Sequence, residues 1–86
     1  MRQVAIIPYP QVKITLLAWN GKYLLKLEQG PLEQTYKVAE LDMNGVVPPD
    51  VEIRQILDDE FLTAAVARFQ AMQQDLRAAF ARHELR

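Results

Sequence analysis

Asp58-Asp59-Glu60 is the densest run of carboxylates in the chain, and His83 is its only imidazole. Three adjacent acids could hold a divalent cation if their side chains converged. On a helix they diverge, because neighbours on one helical face are three and four residues apart. Asp58 reads instead as an N-cap, with Asp59 and Glu60 placed to suit the positive end of a helix dipole. His83 falls near the end of the sequence and reads as a cation at a helix C-terminus, not as a ligand or general base. There is no Ser and no Cys, which removes the usual nucleophiles, disulfides and thiolate metal sites. Gly21, Gly30 and Gly45 stand singly in turn-forming surroundings and build no phosphate-cradling loop. Asp42 and Asp50 read as turn residues. The expectation is a non-enzymatic protein with no cofactor and no metal, since only Lys, Tyr and carboxylates remain for catalysis.

A different chemistry is concentrated around the single tryptophan. Trp19 precedes Asn20-Gly21, the preferred pair for a type I′ hairpin turn. The flanking runs, QVKITLLAW and KYLLKLE, are rich in strand-forming residues. A two-residue turn sets Trp19 opposite Lys22, and counting outward sets Leu17 opposite Leu24 and Lys13 opposite Glu28. Side chains alternate between faces along a strand. Ile14, Leu16, Ala18, Tyr23, Leu25 and Leu27 therefore share one apolar face, the expected core. Lys13, Thr15, Leu17, Trp19, Lys22, Leu24, Lys26 and Glu28 share the other.

If TYKVAEL pairs next with Tyr36 and Val38 inward, Lys37 joins that second face, which then carries every lysine in the protein. Two readings of the face follow. In the first it is solvated, with a Lys13–Glu28 ion pair, Trp19 over the Lys22 stem and Leu17–Leu24 as one exposed apolar pair. In the second, Trp19, Leu17 and Leu24, framed by Lys13, Lys22, Lys26 and Lys37, form a contact patch for a partner.

The elements that must position these residues follow from pattern. QVAII before Pro8 reads as a short strand, and Pro8-Tyr9-Pro10 as an extended bend. QGPLEQ reads as a turn or loop and TYKVAEL as the last strand, so the strands fall within about residues 3–41. The loop 42–50 is marked by Gly, Pro, Asn and Asp. Ile53, Ile56 and Leu57 suggest one or two helical turns over 51–57. From Asp58 the period is helical to about residue 84. Leu62, Val66, Phe69, Met72, Leu76, Ala79 and Phe80 make one stripe, and Arg77, Arg82 and Arg86 sit toward the negative end of the dipole. The predicted fold is α+β: a four-stranded antiparallel β-meander with one long C-terminal α-helix on one face, ββββα, in a single domain over 1–86.

A helix of that length spans roughly 37 Å at 1.5 Å per residue. Strands of eight or nine residues span only about 28 Å. The helix should overhang its sheet by about two turns, leaving Leu76, Ala79 and Phe80 in need of a partner. A second copy of the chain is the simplest source, because most soluble oligomers are homo-oligomers. The heptad spacing of Leu62, Phe69, Leu76 and His83 is compatible with helix pairing.

The 86 residues are half hydrophobic, ample for one small core and against disorder. No apolar run approaches a membrane span, and MRQVAIIPYP is too weakly apolar for a secretory signal; a cytoplasmic setting is expected. The net charge of −1 is uneven. Residues 1–39 carry Arg2 and four lysines against Glu28 and Glu33, a balance of +3, and residues 40–86 carry five arginines against nine acids, −4. This is not the strongly basic composition of a dedicated nucleic-acid binder.

The ββββα order loosely resembles a single repeat of the PUR-type and Whirly-type single-strand binders, which implies a nucleic-acid-binding sheet and a helix that assists pairing. Trp19, with Tyr9, would then be the stacking residues. The run WNGKYLLKLEQGPLEQTYK also looks like that of small uncharacterised bacterial proteins, a resemblance that implies no activity. The functional expectation is a small interaction or accessory module, a homodimer, using the outer sheet face for a partner. Single-stranded nucleic-acid binding on the same face is the alternative. A third reading is an accessory subunit of a larger complex that covers the helix overhang.

Overall fold

The computed structural model describes residues 1–83; Arg86 and the final residue of the helix expected over 58–84 lie outside them. Four strands, β1 (Arg2–Ile7), β2 (Lys13–Trp19), β3 (Lys22–Gln29) and β4 (Leu32–Ala39), are followed by α1 (Pro49–Ile56) and α2 (Asp59–His83). The strands form one antiparallel sheet in chain order, a meander, and α2 lies against β4. The α+β architecture expected from the pattern is the one observed.

Turn chemistry explains the register. Asn20 and Gly21 both have positive φ (48° and 72°), the signature of a type I′ turn. The β2–β3 ladder runs from Trp19 opposite Lys22 to Lys13 opposite Glu28. Gly30 (φ 58°) and Pro31 close a second two-residue turn, so that Gln29 pairs with Leu32. Positive φ in the first central residue followed by a proline ring near −65° is the sign pattern of type II′.

That tight turn shifts β4 from the expected position. Leu32, Glu33 and Gln34, read as loop from sequence, are paired strand residues. At the other end β3 begins at Lys22, which leaves only the Gly21 carbonyl to accept from the Glu40 N–H, at 3.0 Å. Pairing stops there, and Glu40–Asp42 wind into a 3-10 turn instead of extending the strand to Leu41.

The core lies between the inner sheet face and the helices. Ile14, Leu16, Leu25 and Leu27 are fully or nearly fully buried with Val12, Ile53, Leu62, Ala65 and Phe69. Each of these side chains other than Ala65 contributes about 1.5–3 kcal/mol by leaving water. Ala18 and Tyr23, expected in the core, are only half-buried near the hairpin tip. Tyr36 and Val38 point inward as anticipated. Pro49, assigned to the loop by its breaking tendency, is the first residue of α1, where its missing N–H costs nothing. Ile53 is buried in α1 and Ile56 is exposed at its end, while Leu57, the residue after the helix, packs against the core, so the three do not share one helical face. Asp50 belongs to the first turn of this helix and Asp42 to the 3-10 turn. Between them, the Asn44 N–H donates to the Glu52 carboxylate (3.1 and 3.2 Å), and the Asn44 side chain accepts from the Val46 N–H.

α2 is seated by a cap and a polar bracket. The Phe61 N–H donates to Asp58 Oδ1 at 2.8 Å, which makes Asp58 the N-cap expected of it. Phe61 meets Tyr36 edge-on, with ring centroids 5.3 Å apart. One turn on, Gln34 Nε2 donates to the Ala65 carbonyl at 2.9 Å. Rising helix numbers therefore meet falling β4 numbers, and α2 leaves the sheet past the Gly30-Pro31 turn. Arg68 joins the bracket, donating to Gln34 Oε1 (2.9 Å) and to the Tyr36 hydroxyl (2.7 Å).

Two stability measurements follow. Asp58→Ala removes the cap and should lower unfolding free energy by about 1 kcal/mol, read as a lower urea midpoint with unchanged slope. The backbone at Gln11 is left-handed (φ 69°) although the residue carries a Cβ. Gln11→Gly should stabilise by up to about 1 kcal/mol, whereas Gly21→Ala in the same left-handed region should destabilise by about 1.

Candidate functional site

The outer face of the sheet, opposite α2, gathers the residues whose chemistry is least explained by folding. Cross-strand rows define it. Gln3, Leu17, Leu24 and Lys37 form one row, and Ile6, Thr15, Lys26 and Thr35 another. Trp19, Lys22 and Ala39 stand at the hairpin end, with Lys13, Glu28 and Glu33 at the opposite end. Strand parity thus brings Lys13, Lys22, Lys26 and Lys37 to one side, with Trp19, Leu17 and Leu24 among them.

The face is layered and not flat. Leu24, read from sequence as an exposed anchor, is only 9% exposed, and Thr15 beside it only 7%. Both lie on central strands, where neighbours on both sides and along the diagonals cover them. Leu24 is a floor residue; Leu17 is half-buried, and Trp19 stands clear at 45%. Ile6 extends the apolar surface toward β1, an addition that pattern alone left open because the pairing of the first strand could not be counted from a tight turn.

Charge pairing departs from the simplest expectation. Lys13 and Glu28 are opposite in register, yet the ion pair formed is the diagonal one, Lys26 to Glu33 at 3.6 Å, the single pair among the described residues. Glu33 is held for it by the Thr35 hydroxyl, which donates at 2.8 Å. Both ends of the pair are partly exposed, so its contribution to stability is small. The expected Trp19–Lys22 contact is present, with Nζ 5.7 Å from the ring centroid. One side of the indole is thereby occupied by a cation. Lys13, Lys22 and Lys37 are exposed, while Lys26 is half-covered.

Around the hairpin tip the surface folds into an open depression lined by Arg2, Trp19, Lys22, Tyr23 and Glu40. Arg2 is there because of a bulge. The register of β1 shifts between Gln3 and Ala5, which places Arg2 beside Ala18 on the inner parity and Val4 against the core. Elsewhere the surface offers less. Among the described residues no group of three or more His, Asp or Glu side chains is arranged to hold a metal ion. No helix among them is long and apolar enough to cross a membrane.

Sequence reasoning missed the Gln34–Tyr36–Arg68 bracket. The available signal was a glutamine at an inward position of β4, since a polar side chain on a core face requires a partner. The bracket is structural, because Gln34, Tyr36 and Arg68 bond to one another and to the Ala65 carbonyl, joining α2 to β4.

The self-association residues occupy a separate place. Met72 is the last α2 side chain packed against the core. Leu76 is 40% exposed beyond it, with Ala79 and Phe80 half-buried. No protein-family model matches the chain, and no match was found among the curated proteins or the solved structures.

Proposed function

We propose that this chain is a non-catalytic interaction module whose outer sheet face binds an acidic segment of a protein partner through an apolar anchor. The observation that carries this reading is the collection of all four lysines on the face opposite α2, around Leu17 and Trp19. That face holds four cations against Glu28 and Glu33 within a chain of net charge −1. Its charge is therefore opposite in sign to that of the remainder, which is how a surface steers an acidic partner into one orientation. Leu17 and Ile6 offer apolar contact, and Trp19 supplies the large side chain typical of binding centres. Single-stranded nucleic acid is the competing ligand. It is disfavoured because Trp19 is the one aromatic that strand register places on this face, whereas stacking platforms use several for successive bases, and because the chain's net charge is −1.

Trp19 is the only tryptophan and reports on its own face. An acidic peptide alternating Glu and Leu should shift its emission, and the double variant Lys22→Glu/Lys37→Glu should weaken that binding at least tenfold. Absence of any emission change at millimolar peptide would overturn the proposal. A response confined to a dT12 oligonucleotide, with affinity falling steeply as salt rises, would transfer the face to single-stranded nucleic acid.

A further inference from the structure

The free end of α2 presents a built recognition surface, and its geometry selects the occupant. The molecule is 51 Å long with a radius of gyration of 15.3 Å. A single domain of this length has about 12 Å. Its accessible surface, 6095 Å², exceeds the roughly 5,200 Å² expected for its mass by about 900 Å². Beyond Met72 the helix has no further side chain packed on the core, and Leu76 is 40% exposed there.

The apolar stripe does not end at the sheet. Phe69, Leu76 and His83 recur at seven residues, and Met72 and Ala79 lie between them at the same interval. This is an a/d seam, with Asp75 and Arg82 both falling on the flanking g positions and Gln73 and Phe80 on the e positions. When two copies of such a segment cross antiparallel about a two-fold axis, a meets d and g meets g. The layers are then Met72 against His83 and Leu76 against Ala79, each repeated by symmetry, and Asp75 of one copy meets Arg82 of the other. Neither residue forms an ion pair within the described residues of its own chain. In a parallel pair each g position would meet an e position of the partner, setting Asp75 against Phe80 and not against Arg82.

We propose that two copies of this chain associate through an antiparallel, two-fold pairing of α2 over residues 72–83, closed by reciprocal Asp75–Arg82 ion pairs. The partner helix takes the layer that the sheet vacates past the Gly30-Pro31 turn, at the 8–10 Å spacing usual for packed helices. Ala79 permits that approach. The roughly 900 Å² of surplus surface on each copy bounds what pairing can remove at about 1,800 Å² in total, and specific interfaces need about 1,200 Å² or more. The sheet face is left free, so the pairing stands on observations independent of the partner reading given above.

Light scattering on a sizing column at micromolar concentration should give about twice the 9.9 kDa chain mass. Leu76→Asp, or Ala79→Arg if that variant folds poorly, should raise the dimer dissociation constant at least 100-fold while far-ultraviolet circular dichroism keeps its native form. Asp75→Arg should weaken association about five- to tenfold, and Asp75→Arg/Arg82→Asp should recover it. A monomer at 100 µM would overturn the proposal, as would a dimer indifferent to both Leu76→Asp and Ala79→Arg. Failure of the double charge swap to recover association would overturn the antiparallel arrangement.

Discussion

The register between β2 and β3 is the constraint on which the rest of the molecule depends. Because side chains alternate strictly, moving this pairing by one residue would put Ile14 and Leu16 on the opposite face from Leu25 and Leu27, sending one pair to water and bringing lysines beneath α2. The two positive φ values at Asn20 and Gly21 prevent that slip locally. The second turn, at Gly30-Pro31, carries the same parity into β4 and sets Lys37 with the other lysines. A charge distribution that appears scattered along the chain is in this way converted into a single charged surface by two short turns.

The opposite face is organised by a polar device as well as an apolar one. Gln34 stands at a core-facing position, where an aliphatic residue would be the simpler choice. Its amide reaches the backbone of α2 at Ala65 and accepts from Arg68, while the Tyr36 hydroxyl accepts from Arg68 and donates to Gln34. Apolar packing by itself tolerates a helix sliding along or rotating over a sheet. Directional bonds to one carbonyl and one guanidinium select a single placement. That placement decides which helix residues fall beyond the sheet, and so links an internal contact to an external surface about two turns away.

Much of this was legible from residue order. The hairpin register, the core positions of β2 and β3, the capping role of Asp58 and the mismatch between helix and sheet lengths all follow from local rules, and each has a counterpart in the structure. Two of the misplaced boundaries share one cause, which is that a breaking residue does not always end an element. Pro49 begins a helix, and Gly30-Pro31 interrupts pairing for only two residues. The burial of Leu24 and the diagonal Lys26–Glu33 pair depend on neighbours on the adjacent strands, which a pattern read along one strand does not contain. The side-chain bracket at Arg68 spans more than thirty residues and could be suspected only from the inward glutamine.

The bulge at Val4 gives the two ends of the sheet different histories of permitted change. β1 is an edge strand that already accommodates one surplus residue, and its inner and outer positions are reset on either side of that point. Gaining or losing a single residue ahead of Ala5 would alter the local bend and leave the remaining strands in phase. The same insertion within β2 or β3 would invert a central strand. Length variation among descendants of this chain should therefore accumulate in its first few residues and be purged from the central hairpin.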